Sequence, residues 1–215
     1  MCVLKNILQK LLVPTALFIA MAAHAADQVP TIDELQSSFD VTNFELTDKA
    51  QLESFEQLKA GAELFTVENP GVAEGWVWSG IIKSSYAGAK GGLGALKLAK
   101  QSKVDFEQSL ELDPGAMQGS ADTSLGTLYY SVPGWPLGFG DDKKAEEFLL
   151  KALEINPDGI VSNYFYAEFL VDQKRDEEAI VYYKKAQDAP LRPNRPIADE
   201  GRRKDITAAL ADIRR

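Results

Sequence analysis

Ala145-Glu-Glu-Phe148-Leu149-Leu-Lys151-Ala152 recurs 34 residues later as Ala179-Ile-Val-Tyr182-Tyr183-Lys-Lys185-Ala186, with alanines, large apolar residue and lysine in register. A period near 34 marks helix-turn-helix repeats, in which each helix pair buries its apolar face only against its neighbours. The spacing therefore predicts an all-α chain of antiparallel helix pairs stacked into a short solenoid. Such a stack builds a surface for holding something.

Working outward, prolines punctuate the same pattern. Ser109-Leu-Glu-Leu-Asp113 before Pro114 matches Ala152-Leu-Glu-Ile-Asn156 before Pro157, so both are equivalent helix ends, and Leu191 beside Pro190 takes the corresponding place in the last repeat. The residue before a proline is pushed away from helical backbone, which makes these reliable stops. Asn69-Pro70 ends an earlier helix carrying Leu52, Phe55, Leu58 and Leu64. The intervals are 44 residues from Pro70 to Pro114, 43 to Pro157 and 34 to Leu191, so the two earlier repeats are lengthened. One surplus is Ser131-Val-Pro-Gly-Trp135-Pro-Leu-Gly-Phe139-Gly-Asp-Asp142, whose glycines and prolines predict a loop. The other falls in the glycine-rich stretch at 87–95, expected to turn between an aromatic helix (Trp76, Trp78, Ile81, Ile82, Tyr86) and the next.

Tyr164-Phe-Tyr-Ala167-Glu-Phe-Leu170, followed by Ala179, Tyr183 and Ala186, resembles a tetratricopeptide repeat. Leu125-Gly126 with Tyr129, then Ala145, Leu149, Ala152 and Pro157, is similar but stretched by the loop. Small residues in such positions let helix axes approach at the short end of the usual range of about 8–10 Å. Ser102 and Ser109 stand where that family usually has alanine. Stretched, glycine-rich repeats behind an export signal also resemble the periplasmic T component of TRAP transporters. The fold expected is thus a short tetratricopeptide-like solenoid with two lengthened repeats.

The export signal is read from residues 1–25. Lys5 and Lys10 form a basic start, Leu11 to Ala20 an apolar stretch, and Ala23-His24-Ala25 a small-x-small cleavage site. The apolar stretch is short of the roughly 20 residues a span needs and holds Pro14, so cleavage is expected rather than anchoring, with no membrane insertion afterwards. The expected location is periplasmic or secreted, and the absence of N-glycosylation sequons points to a bacterial envelope. Residues 26–47, a mixture of Pro, Thr, Asp and Ser with scattered apolars, are expected to be an extended or weakly ordered lead-in to a helical domain at 48–215.

Cleavage removes Cys2 and His24, the chain's single cysteine and single histidine. A mature chain without thiol or imidazole excludes disulfides, cysteine–histidine zinc sites and Ser–His–Asp or Cys–His catalysis. An enzyme would have to work through carboxylates such as Glu168, Lys or Tyr, and no motif supports one. No cofactor or metal is expected: Gly88, Gly91, Gly92 and Gly94 fit no phosphate-binding loop, and the acidic pairs near Asp113 and Asp141 fit no calcium loop. Without Lys5 and Lys10 the balance of 23 basic against 32 acidic residues becomes a net charge of −11, which disfavours nucleic acid. The surplus is uneven, since Arg192, Arg195, Arg202, Arg203, Lys204, Arg214 and Arg215 make the tail cationic. Those cations either complement the C-terminal end of a last helix or form a docking patch for an acidic partner.

Two sets of binding residues stand out. The 131–142 loop offers Trp135 and Phe139, either as a preorganised contact surface or as a plug for the space the insertion opens. The resemblance implies an inner solenoid face carrying Ser120, Thr123, Thr127 and Tyr130 from one repeat and Tyr164, Glu168 and Val171 from the next, suited to an extended peptide or a modest ligand. The function expected is a non-enzymatic exported scaffold that binds a protein or peptide partner. The alternative is an accessory protein for solute uptake, with a small-ligand cleft between the 131–142 loop and the 87–95 turn.

Overall fold

The computed structural model describes residues 28–213, so the leader with Cys2 and His24, and the terminal Arg214 and Arg215, lie outside the described residues. Within them run nine α-helices and no strand: α1 (Ile32–Phe44), α2 (Asp48–Glu68), α3 (Ala73–Lys90), α4 (Gly92–Leu112), α5 (Ser120–Ser131), α6 (Asp142–Ile155), α7 (Ile160–Asp172), α8 (Asp176–Asp188) and α9 (Pro196–Ile213). The all-α expectation holds, and the proline stops fall where the spacing puts them: α2, α4 and α6 end at Glu68, Leu112 and Ile155, each followed by a capping residue and then proline.

Two expectations fail. The lead-in at 26–47 contains a helix. The Thr31 hydroxyl accepts the Glu34 N–H at 3.2 Å while the Glu34 carboxylate accepts the Thr31 N–H at 2.8 Å, a reciprocal cap that satisfies two orphan donors. Leu35 and Phe39, four residues apart, bury one face of α1. The stretch at 87–95 is nearly all helix as well. Its alanines and leucine favour helix over turn, and the break narrows to Gly91 and Gly92, both at positive φ. The surplus length of that repeat therefore lies in long helices rather than a loop.

Consecutive helices pack as pairs, α1 with α2, α3 with α4, α5 with α6, α7 with α8. Gly126 shows how close α5 and α6 come: a Cβ there would stand 2.5 Å from Leu149 Cγ and 3.0 Å from the Ala145 carbonyl oxygen. Two apolar clusters result, one from α1, α2, α3 and Leu98, the other running from α3 and α4 through the later pairs to α9, and Ile81 and Met117 touch both. Trp78 is fully buried, whereas Trp76 stays half-buried and donates its indole N–H to the Pro70 carbonyl at 2.9 Å.

The first helix of each pair contacts the first helix of the next: α1 with α3, α3 with α5, α5 with α7. Helix α9 then contacts both α7 and α1. An open solenoid keeps its ends apart; here the inner helices close into a ring. The closure is polar and steric together. Arg195 pairs with Asp40 of α1, Gln36 Nε2 donates to the Asn194 carbonyl at 3.4 Å, and Gly201 admits the Phe44 ring where a Cβ would collide with it.

Candidate functional site

The closed ring surrounds a cavity of about 280 Å³, bordered by all five inner helices, just under the size usual for small-molecule sites. One wall is apolar and aromatic, including Phe39, Trp78, Ile81, Met117, Leu128 and Phe165. Small hydroxyls from α3 and α5, Ser84, Ser85, Ser120, Ser124 and Thr127, alternate with them. Three of those hydroxyls are spent on backbone carbonyls: Ser84 on Ile81 at 3.0 Å, Ser120 on Met117 at 2.6 Å, Thr127 on Thr123 at 2.9 Å. Their oxygens still have free lone pairs, so they can accept but not donate.

The third component is three arginines from α9 and the segment before it. Arg192 is saturated by Asp199, which accepts from its backbone N–H at 2.6 Å and from Nε at 2.9 Å. Arg195 is likewise matched by the buried Asp40, with Nε to Oδ2 at 3.1 Å, and its guanidinium lies 5.0 Å from the Trp78 ring centre. Such bidentate pairs are close to neutral units. Arg202 differs. Its side chain is only 16% exposed, and its carboxylate partner is the solvent-facing Asp205 at 3.1 Å. The guanidinium is held against the faces of Tyr164, Phe165 and Phe44 at 4.2, 5.0 and 5.5 Å, a desolvated cation supported by ring quadrupoles. Burial pushes the Tyr164 phenol up to about 12 despite the neighbouring arginine. The buried Trp78 indole N–H has no hydrogen-bond partner among the described residues.

The residues expected on an inner face separate into three places. Ser120 and Thr127 line the cavity. Tyr164 is buried behind Arg202, and Thr123 is buried with its hydroxyl on the Gly119 carbonyl at 3.2 Å. Tyr130, Glu168 and Val171 lie away from the cavity: Tyr130 packs on Phe169 at 5.8 Å, Glu168 accepts from the Tyr183 hydroxyl, and Val171 packs against the core. Burial, then the nearby Glu168, raises the Tyr130 phenol well above its ordinary range. The seven do not form one continuous groove.

The loop splits as well. Phe139 is a plug, edge-on to Tyr129 at 5.6 Å, while Trp135 is 89% exposed and Leu137 71% exposed. Backbone bonds hold the loop: Gly140 N–H to Pro133 O at 3.0 Å, Gly138 N–H to Gly134 O at 3.1 Å, Asp141 N–H to Tyr129 O at 2.9 Å. No residue of 131–142 or 87–95 lines the cavity, so the cleft expected between those segments is not where the space lies. Among the described residues, the tail cations do not gather at the end of α9. Arg192 and Arg195 precede it and Arg202 to Lys204 sit near its middle. The cavity arginines were visible in the sequence as a cationic tail, but nothing local told which way they face.

Among the described residues no group of three acidic, histidine or cysteine side chains is placed to hold a metal ion. No curated protein matches the chain. Residues 138–158 and 160–190 match the tetratricopeptide repeat family, a span covering α6 to α8 and the end of the preceding loop.

Proposed function

We propose that the protein is an exported, non-enzymatic scaffold of the cell envelope, periplasmic or secreted, that binds a protein or peptide partner. Repeats of the matched kind are generally protein-binding scaffolds. The observation that carries the reading is Trp135: a large aromatic, 89% exposed beside an exposed Leu137, on a loop fixed by its own backbone bonds. A rigid, solvent-facing aromatic anchor is the typical hot spot of an interface and loses little entropy on docking. Because the ring takes up the inner face, the partner meets the loop rather than threading the solenoid.

The test is capture from an envelope extract by the mature chain and by Trp135→Ala, read by quantitative mass spectrometry. A reproducible partner whose affinity falls by at least about 30-fold in the variant is expected, the loss of a single aromatic hot spot. A partner held equally by the variant ends the assignment to the loop, and no reproducible partner ends the scaffold reading. Export is checked by N-terminal sequencing of mature material, expected to begin at Ala26.

One observation favours a second reading, that of an accessory protein for solute uptake similar to the T component of TRAP transporters. It is the closed ring, which encloses a small-molecule-sized space.

A further inference from the structure

We infer that the ring cavity is a binding site for a small amphiphilic monoanion, a carboxylate on an apolar body, with Arg202 engaging the carboxylate. Two independent features lead there, the space and its charge. The cavity is of metabolite size and its wall is largely aromatic and aliphatic.

The charge inventory fixes the number of anionic groups. Of the three arginines bordering the cavity, Arg192 and Arg195 are matched by Asp199 and Asp40, each almost wholly buried. Arg202 alone is tied to an exposed carboxylate, Asp205, which sits in water and compensates a buried guanidinium poorly. One under-compensated cation calls for one anionic head. A dicarboxylate would bring a second charge to a wall of Phe39, Ile81, Leu128 and Phe165, where no cation waits for it. The hydroxyls of Ser84, Ser120 and Thr127 already donate to backbone, so they add little for an anion. They instead leave room for a hydrocarbon or aryl body of modest width.

This site goes beyond partner binding and is independent of the Trp135 loop. It also supplies the ligand class that the uptake reading leaves open: carboxylate binding with no effect on uptake would leave the site standing and end that reading.

Isothermal titration of the full mature chain tests it, with 4-phenylbutyrate and octanoate as probes, 4-phenylbutyramide as the uncharged isostere, and succinate as the dianion without a body. The two monocarboxylates are expected to bind with micromolar to sub-millimolar affinity, at least about tenfold tighter than the amide, and succinate not measurably. Arg202→Gln weakens the carboxylates by about tenfold or more and leaves the amide unchanged, and Arg202→Lys restores part of the loss. Ser124→Phe fills the cavity and abolishes binding of all probes while circular dichroism and the unfolding midpoint show a folded chain. Neither monocarboxylate binding below about 1 mM, equal binding of acid and amide, preference for succinate, or unaltered binding in Ser124→Phe would each overturn the assignment.

Discussion

Helices α5 and α6 approach closely at Gly126. The nearest obstacles to a side chain at Gly126 are Leu149 Cγ and the Ala145 carbonyl oxygen, and the buried alanines 145, 152, 179 and 186 keep the neighbouring contacts equally small. Helices α3 and α4 reach their packing by another route. The nearest atoms to Gly80 are all in the Phe106 ring, from 2.5 Å, and on the other side of α3 Gly75 receives the ring of Phe65. Where Gly126 meets both a leucine side chain and a backbone oxygen of its partner, the nearest neighbours of the α3 glycines are phenylalanine rings alone. Both arrangements satisfy ridge-into-groove packing, but only the first carries the residue pattern of the tetratricopeptide repeat. The family match begins at residue 138, after α5, although the helix pairs begin at α1. Ser102, at a position where alanine is usual, is fully buried and donates to the Gly80 carbonyl at 2.8 Å, so the α3–α4 pair has its own buried polar tie.

The largest effect that separates the two devices is expected from Phe106→Ala. Phe106 is fully buried, so truncation leaves a cavity between α3 and α4 and costs about 3–5 kcal/mol. Urea denaturation followed by circular dichroism measures it. A loss below about 1 kcal/mol would mean that the pair collapses without its ring and that the packing contrast has no energetic content.

Smaller and sharper is a pair of mutant cycles. Gly80→Ala and Gly126→Ala each overpack a tight contact and are expected to cost about 1–3 kcal/mol. Their rescue should differ. Removing the ring with Phe106→Ala takes away the three nearest neighbours of Gly80, so Gly80→Ala is expected to become nearly neutral in that background, apart from the gain of helix propensity. Leu149→Ala does not rescue Gly126→Ala to the same extent, because the Ala145 carbonyl oxygen remains 3.0 Å from the new methyl. Equal coupling energies in the two cycles would erase the distinction.

The same contrast explains what the sequence could reveal. Alanine spacing and proline stops are local signals, and they locate α5 to α8 and the ends of α2 and α4. Helix α1 escaped because Thr31 and Glu34 form a cap legible only once a helix is assumed, and its two core residues were seen as scattered apolars. Ring closure has no local signature at all: Asp40 and Arg195 are 155 positions apart, and their pairing depends on the curvature accumulated over four helix pairs. Ser120 and Thr127, expected on the inner face by repeat position, line the cavity. Tyr164 was assigned to the same face, yet Arg202 of α9 covers it. For the loop, composition allowed both a plug and a contact surface, and the chain uses Phe139 for one and exposes Trp135 for the other.

The smallest effect concerns one buried carboxylate in each region. Asp105 sits between α3 and α4 with Lys83 at 2.7 Å and Ser79 at 2.8 Å. Asp122 is held by Lys151 at 2.9 Å through one oxygen, and its other oxygen has no partner. Burial raises both carboxyls above their ordinary value of 3.8, and the paired lysines oppose it only in part; near Asp105, Glu63 adds to the rise. The folded state then holds more protons than the unfolded one above pH 3.8, so each group's contribution is fullest at low pH and is lost as pH rises through its folded pKa. Asp122→Asn removes that penalty and leaves Lys151, 46% exposed, in contact with water. The variant's stability relative to the parent is expected to climb as pH rises from 3.8 and then level off, measured as urea midpoints in a pH series. Asp105→Asn should show the same rising difference on a lower baseline, since Lys83, 8% exposed, is left with only Glu63 at 3.6 Å. A difference that falls with pH at Asp122 would show that its lysine outweighs its burial, making the pair a true ion-pair clamp rather than a tolerated buried charge.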